Sequence, residues 1–260
     1  MIIGGHSHTL KEQGEKINKT WITQAGDDVN YVGKVILTFT SDSLTAIETG
    51  MLDMREFEEE DKEIASLIQK YNNNESLQEK IGVAELPIQG KEELGALFTD
   101  AQIEMHNLDF SFQNNGGIRI PEIPKGEIKV STIYELDPFG NELIKFEMKP
   151  EEIKSLLRHS YNRSNGPGLQ IGGGSYTLFI NNQEELDKIV IKDEKGTVLH
   201  PDSTYDVGLN SYISSSYTFD HEDSGKSTYT TTAQNLIEYI RQKETINYNG
   251  VKRVFVEKVN

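Results

Sequence analysis

Residues 110–119 read FSFQNNGGIR, and this stretch gives the clearest indication of the fold. Its first part, Phe110–Gln113, predicts a short strand. The strand runs into a turn of asparagines and glycines that ends at Arg119. Just upstream, Glu92–His106 predicts a helix with one apolar face. That face consists of Leu94, Leu97, Phe98, Ala101 and Met105. A helix therefore leads into a strand that ends in a flexible, arginine-bearing turn.

The same alternation of helix and strand continues along the chain. The pattern predicts further helices at residues 150–159, with a proline in the first turn, and 232–241. It predicts strands near 142–148, 175–180, 188–191 and 204–209. Helices mixed with strands and hairpins favour an α+β fold, a mixed sheet with helices.

The chain before this region is organised differently. Residues 1–50 are rich in strands, at 21–26 and 31–39, and Asp53–Tyr71 has apolar residues at helical spacing behind the acidic run at 58–61. We interpret the acidic run as a solvated helix face and not as a metal site. The predicted organisation is residues 1–50 as the edge of one domain, 51–76 as a connector helix and linker, and 77–260 as a second domain.

Composition limits the possible partners. The chain has 260 residues, a formal net charge of −16 and no cysteine. Its acidic balance disfavours a nucleic-acid polymer as partner, and the absence of cysteine excludes a disulfide framework. The sequence has no apolar run near the ~20 residues of a membrane span and no signal peptide. We expect a globular protein that acts on a small molecule.

The first nine residues, MIIGGHSHT, contain a candidate metal-ligand turn. Two glycines allow the backbone to bend closely past an ion, and His6 and His8, one residue apart, can point imidazoles at neighbouring ions. Imidazole suits zinc, manganese and iron, so the motif does not identify the metal. The alternative is a tag or an exposed surface loop.

Four stretches in this order resemble the 5′-nucleotidase family, which includes UDP-sugar hydrolases and 2′,3′-cyclic-nucleotide phosphodiesterases. They are GGHSHT at 4–9, NNGGIR at 114–119, YELDPFGN at 134–141 and DVGLNSY at 206–212. The resemblance covers nearly the whole chain. It implies the tail end of a metallophosphoesterase domain followed by a complete C-terminal substrate domain.

The resemblance implies roles for residues in the glycine turn. Arg119 would bind the phosphate or ribose side of a nucleotide, reaching past Gly116 and Gly117, and a guanidinium is suited to bidentate contacts with an anion. Asn114 would orient ribose hydroxyls. The alternatives are a surface arginine and an asparagine that satisfies its own backbone turn.

The resemblance also implies an aromatic clamp for the base. Phe139, held between proline and glycine, would stack on one face, and Asn141 would hydrogen-bond the base edge. Phe219 takes the position of the second ring, with Tyr217 as the other candidate. A phenylalanine that fills the core is the ordinary alternative.

Two stretches depart from the family pattern. Serines at 214–216 replace a run of glycines, and Tyr217 stands in place of an aspartate. Lys91 takes the place of an arginine, and Ala96 replaces an asparagine. Because of these changes, the resemblance does not imply a preference for a particular base.

The family's reaction uses two divalent metal ions, zinc, manganese or similar, to activate water and neutralise phosphate. His6 and His8 would each bind one of them. The other metal and catalytic motifs do not occur in this sequence, so we expect no catalytic residue here and no activity without an N-terminal catalytic half. The alternative is a stand-alone nucleoside- or sugar-binding module. The resemblance implies a periplasmic or cell-surface location.

Overall fold

The first of two compact units, Met1–Tyr71, consists mainly of strands. The structure is a computed structural model and describes residues 1–259. Its strands are β1 (Ile2–Ile3), β2 (Glu15–Ile17), β3 (Thr20–Thr23), β4 (Tyr31–Thr40) and β5 (Ser43–Asp53), and helix α1 (Lys62–Asn72) follows. Strand β3 pairs in parallel with β1 and antiparallel with β2, while β4 and β5 form a long hairpin.

This first unit buries little of its apolar surface. Within residues 1–71, only Thr23 and Gln24 are buried. Large apolar side chains on its strands are open to solvent, including Ile3 at 79 % and Phe39 at 59 % exposure. Extended apolar surface of this kind is typical of a protein–protein or domain interface.

Helix α1 is shorter than the sequence predicted. Strand β5 occupies the chain up to Asp53, so the predicted helical start at Asp53 is wrong. The carboxylate of Asp61 accepts hydrogen bonds from the backbone N–H groups of Glu63 and Ile64, at 2.9 and 3.0 Å. This N-cap fixes the helix start after Asp61, because it satisfies backbone donors of the first turn. The acidic run at 58–60 therefore precedes the helix.

The second unit begins at Asn72 and contains most of the secondary structure. Up to β11 its elements are α2 (Glu75–Gln78), β6 (Lys80–Ala84), β7 (Ile88–Gln89), α3 (Gly90–His106), β8 (Phe110–Asn114), a 3₁₀ turn (Asn115–Gly117), β9 (Glu122–Ile123), β10 (Gly126–Lys129), α4 (Val130–Leu136) and β11 (Glu142–Met148). After β11 come α5 (Pro150–Ser164), β12 (Leu169–Gly172), β13 (Gly174–Ile180), β14 (Leu186–Asp193), β15 (Tyr205–Asn210), α6 (Ser211–Ser216), β16 (Lys226–Thr231), α7 (Thr232–Lys243), β17 (Thr245–Ile246) and β18 (Val254–Lys258).

The predicted α+β class with a mixed sheet is confirmed. Strand β11 has the predicted bounds, and α3 begins two residues before its predicted start. The helix predicted at 150–159 continues to Ser164. Three short helices, α2, α4 and α6, were not predicted.

The central sheet of this unit has five strands in the order β12-β8-β15-β11-β16. Strands β8 and β15 are parallel, whereas β11 and β12 run antiparallel to their neighbours. The ends of β8 and β15 therefore meet the starts of β11 and β12 along one side of the sheet, which we call the carboxyl edge. Side chains from four separate segments converge there.

Two hydrophobic cores support this sheet. One lies among α3, α4 and α7, and the other lies between α5 and the sheet. Helix α3 packs directly on β12, since a Cβ at Gly95 would lie 2.2 Å from the Gln170 side chain. None of the helices within residues 1–259 is long and apolar enough to cross a membrane.

Candidate functional site

Three amide side chains form a buried cluster at the carboxyl edge. The side-chain nitrogen of Asn210 donates to Gln113 Oε1 at 3.0 Å and to Asn114 Oδ1 at 2.9 Å. The oxygen of Asn210 accepts from the backbone N–H of Ile213 and so caps α6. The cluster links the ends of the parallel strands β8 and β15. It fixes the Asn114 side chain through its oxygen, and no residue among 1–259 accepts a hydrogen bond from its amide nitrogen.

The glycine turn follows this cluster, and its two glycines differ in their surroundings. A Cβ at Gly117 would lie 2.3 Å from Gln113 Nε2 and 3.0 Å from Asn114 Oδ1. At Gly116 the nearest atom would be Asn114 Nδ2, at 3.6 Å. A side chain at Gly117 would therefore displace the ends of the Gln113 and Asn114 side chains, whereas Gly116 faces open space.

Two cations lie beyond the turn. The ammonium group of Lys91 donates to the carbonyl of Ile118, next to Arg119. Burial, and secondly the charge of Arg119, lowers the pKa of Lys91. Neither cation forms a salt bridge with any carboxylate of residues 1–259. In a chain of net charge −16, this leaves a local positive site that favours an anion.

Phe139 is presented at the tip of a turn beside these cations. The Arg119 guanidinium carbon lies 5.8 Å from the ring centroid of Phe139, within the range of a cation–π contact. The ring is 53 % exposed. Gly140 has φ +63°, a left-handed conformation that glycine adopts without strain, and it turns the chain back into β11. The sequence predicted this exposed placement of Phe139.

The base of this turn is held by a single residue of α7. The Thr232 hydroxyl donates to the carboxylate of Asp137, and the Thr232 backbone N–H donates to the carbonyl of Asn141 at 2.8 Å. Asp137 is buried, and burial raises the pKa of its carboxyl, while the hydrogen bond from Thr232 opposes this shift.

Asn141 connects the turn to α6. Its side-chain oxygen accepts a hydrogen bond from the Ser211 hydroxyl at 3.1 Å, and that hydroxyl also lies 3.2 Å from the backbone nitrogen of Glu142. The amide nitrogen of Asn141 donates to no residue within 1–259. Like Asn114, Asn141 is therefore fixed through its oxygen and retains a donor for a ligand.

The two candidates for the second aromatic ring have different environments. Phe219 is only 9 % exposed and packs in the core against Phe146 and His221, at ring distances of 6.3 and 4.8 Å. Tyr217 is half-buried, and the guanidinium carbon of Arg163 lies 5.1 Å from its ring centroid. A ring as buried as Phe219 leaves no open face for a ligand, whereas Tyr217 lies directly after α6, at the carboxyl edge.

Comparison with known proteins identifies the domain to which the carboxyl edge belongs. Residues 75–219, more than half of the chain, match the family described as 5′-nucleotidase, C-terminal domain. The chain belongs to this family.

Its relatives in the family are longer proteins. The trifunctional nucleotide phosphoesterase protein YfkN of Bacillus subtilis (strain 168) is 27 % identical over 240 residues, which cover 82 % of this chain and 16 % of YfkN. The cell wall protein Lmo0130 of Listeria monocytogenes serovar 1/2a is 36 % identical over 135 residues, 46 % of this chain and 17 % of that protein. The chain thus spans about a sixth of the length of these relatives.

A solved family structure has the same fold. The crystal structure of a 5′-nucleotidase precursor from Thermus thermophilus superimposes with a TM-score of 0.78 at 24 % identity. The match covers 98 % of this chain and 59 % of that chain. At this identity the similarity establishes the fold and not the roles of individual residues.

Within residues 1–259, His6 and His8 are not part of a complete metal centre of the kind that the family resemblance implies. His6 and His8 both have left-handed backbone, at φ 63° and 56°, and both are exposed. His8 Nδ1 lies 3.0 Å from Asp27 Oδ2. Residues 1–259 contain no group of three His, Cys, Asp or Glu side chains placed to hold a metal ion.

Sequence patterns did not identify all residues of this site. Thr232, Asp137 and Asn210 position the predicted residues but were not predicted themselves. Asn210 could have been recognised, because an asparagine that ends a strand pattern is a common helix N-cap. Thr232 could not, since its partner Asp137 is 95 residues away in the sequence and they meet only through the fold.

Proposed function

We propose that this chain is the nucleotide-binding part of a metal-dependent 5′-nucleotidase-type phosphohydrolase. The observation that carries the proposal is the pair of cations, Lys91 and Arg119, that has no carboxylate partner among residues 1–259 and lies beside the exposed ring of Phe139. A cationic site next to an exposed aromatic ring matches a ligand with a phosphate at one end and a planar base at the other.

Each part of a nucleotide has a matching group in this arrangement. Lys91 and Arg119 would bind the phosphate or the ribose side, and Asn114 and Asn141 would use their unpaired amide nitrogens toward ribose and base. Phe139 would stack on the base, an interaction worth roughly 1–3 kcal/mol. Because Phe219 is buried, we assign the second stacking ring to Tyr217. Gly116 would allow close approach of the ligand to the backbone, while Gly117 would leave room for the Gln113 amide behind it.

We further propose that catalysis requires residues outside this chain. Two divalent metal ions, zinc, manganese or similar, would supply the activated water in the intact enzyme. His6 and His8 would contribute to binding them, together with ligands from an N-terminal catalytic half. The exposed apolar strands of residues 1–71 support this, because a neighbouring domain would cover them.

The domain assignment is part of the same proposal. Residues 1–50 would complete a metallophosphoesterase domain, 51–76 would connect, and 77–260 would bind the substrate. A periplasmic or cell-surface location is consistent with the name of the Listeria relative, a cell wall protein. The substrate would be a free nucleotide or nucleoside and not a nucleic-acid polymer.

Calorimetric titration of the full 260-residue chain with adenosine and with 5′-AMP, without metal, tests the binding proposal. Saturable binding that falls about tenfold or more in Phe139→Ala is the expected result. Tyr229→Ala is the matched control, because Tyr229 is an even more exposed ring, at 88 %, outside the site. Absence of binding in the unmodified chain, or an equal loss in both variants, contradicts the proposal.

A further inference from the structure

The segment after β15 forms a helix where the family pattern has glycines. The hydroxyl of Ser214 donates to the carbonyl of Ser211, and that of Ser215 donates to the carbonyl of Tyr212. Together with the N-cap by Asn210, these bonds order α6 as a six-residue helix. A flexible glycine loop would leave the following aromatic side chains free, whereas α6 holds Tyr212 and Tyr217 in fixed positions.

Arg163, near the end of α5, lies against both of these rings. Its guanidinium carbon is 5.9 Å from the ring centroid of Tyr212 and 5.1 Å from that of Tyr217. It donates to the Tyr212 hydroxyl at 2.9 Å and to the Ser216 carbonyl at 3.2 Å. A guanidinium has five N–H donors, so these two bonds leave three donors for a ligand.

The charge of Arg163 has no salt-bridge partner among residues 1–259. Arg55, Arg241 and Arg253 each form a salt bridge with a carboxylate. Arg163 forms none with the carboxylates of residues 1–259, although the sequence contains 42 acidic residues. The two tyrosine rings orient the guanidinium, but they do not neutralise it.

Arg163 and the cation pair lie on the same edge of the sheet. The turn after α5 leads into β12, whose first residue pairs with Asn114 at the carboxyl edge. Helix α6 joins the turn of Phe139 to Arg163: its first residue, Ser211, bonds to Asn141, and its last, Ser216, bonds to Arg163. Six helical residues span roughly 9 Å, about the length of a nucleoside.

We propose that Arg163 forms a second anion subsite beside the bound nucleoside, so that the preferred substrate is a nucleotide with a second anionic group. This inference rests on the proposed function. The second group is either a carboxylate attached to the base or a phosphate on the 3′ side of the ribose. Either group would bind the free donors of Arg163 while the first phosphate binds Lys91 and Arg119.

The test compares the affinities of the full chain for three ligands. They are 5′-AMP, 5′-AMP carrying a succinyl group on N6, and adenosine 3′,5′-bisphosphate. We expect at least one of the two doubly substituted ligands to bind about tenfold more tightly than 5′-AMP, and which one does so identifies the source of the anion. In Arg163→Gln this ratio should fall to near one.

Arg158→Gln is the control, because Arg158 is exposed on the same helix and forms no salt bridge with residues 1–259. It should keep the tenfold ratio. If the unmodified chain binds 5′-AMP but gains nothing from either second anion, the subsite proposal is wrong and the nucleotide-binding proposal stands. An equal fall of the ratio in both variants also overturns the subsite, and a chain that binds none of the ligands contradicts both proposals.

Discussion

The Thr232 hydroxyl, at the start of α7, donates a hydrogen bond to the carboxylate of Asp137, two residues before Phe139. Both side chains are buried, each at 2 % exposure. Thr232 also bonds to the carbonyl of Asn141 through its backbone N–H. The turn that presents Phe139 is therefore held at both ends by one residue, which makes the position of the ring depend on α7.

This dependence predicts the effect of Thr232→Val. The valine keeps the volume of the side chain but leaves the buried Asp137 without its hydroxyl donor, a loss of about 1.5–3 kcal/mol in the free energy of unfolding. The loosened turn should lower the affinity for adenosine by about tenfold, while the affinity for inorganic phosphate changes little. Calorimetry with both ligands, alongside Thr230→Val as control, measures this. Parallel losses for adenosine and phosphate would show a general structural defect instead.

The same carboxyl predicts a pH dependence of stability. Burial raises the pKa of Asp137 in the folded protein above its ordinary value of 3.8. Between these two pKa values the folded state binds more protons than the unfolded state, so the contribution of Asp137 to stability falls as the pH rises through this window. Compared with Asp137→Asn, the unmodified chain should gain stability as the pH is lowered from neutral toward about 4. Urea unfolding of both proteins across this pH range measures the effect. A difference between their free energies of unfolding that stays constant with pH would contradict the prediction.

The two glycines of the turn provide a matched pair of substitutions. Gly117→Ala places a Cβ 2.3 Å from Gln113 Nε2, whereas the nearest atom to a Cβ at Gly116 is 3.6 Å away. Neither glycine has a positive φ, so the variants differ in available space and not in backbone strain. Gly117→Ala should cost about 1–3 kcal/mol of stability and weaken nucleoside binding. Gly116→Ala should change the free energy of unfolding by less than about 0.5 kcal/mol. Urea unfolding of both variants measures these changes. Equal losses of stability in the two variants would mean that the amide cluster rearranges without cost.

Particular residues show how far the sequence could predict this structure. Strand β11 and helix α3 were predicted because their periodic apolar residues coincide with their burial. Helix α6 was not, because serines have modest helix propensity and the helix depends on its cap by Asn210. The sequence favoured Phe219 over Tyr217 for the second ring, but Phe219 is buried, since a difference in burial between two aromatic residues is decided by the packing of the core and not by local pattern.

A salt bridge remote from the site predicts a change in stability without a change in binding. Arg253, just before β18, forms two hydrogen bonds to the Asp100 carboxylate of α3, at 2.6 and 2.9 Å, and both side chains are about a quarter exposed. Arg253→Gln should lower the free energy of unfolding by about 1–3 kcal/mol, because a hydrogen-bonded charge loses its partner. Lys252→Gln, which breaks a more exposed pair with Glu92, should cost less than about 1 kcal/mol. A fall in adenosine affinity with Arg253→Gln would show that this pair also positions the site.

Incubated with 5′-AMP and manganese, the 260-residue chain should release phosphate no faster than a trace above the protein-free background. The reason is that a two-metal hydrolysis requires ligand groups for both ions, and residues 1–259 contain no group of three such side chains arranged around one position. Adenosine binding by the same sample serves as the control that the chain is folded. Phosphate release at the rate of an intact homologue would mean that His6, His8 and their neighbours assemble a functional centre without an N-terminal half.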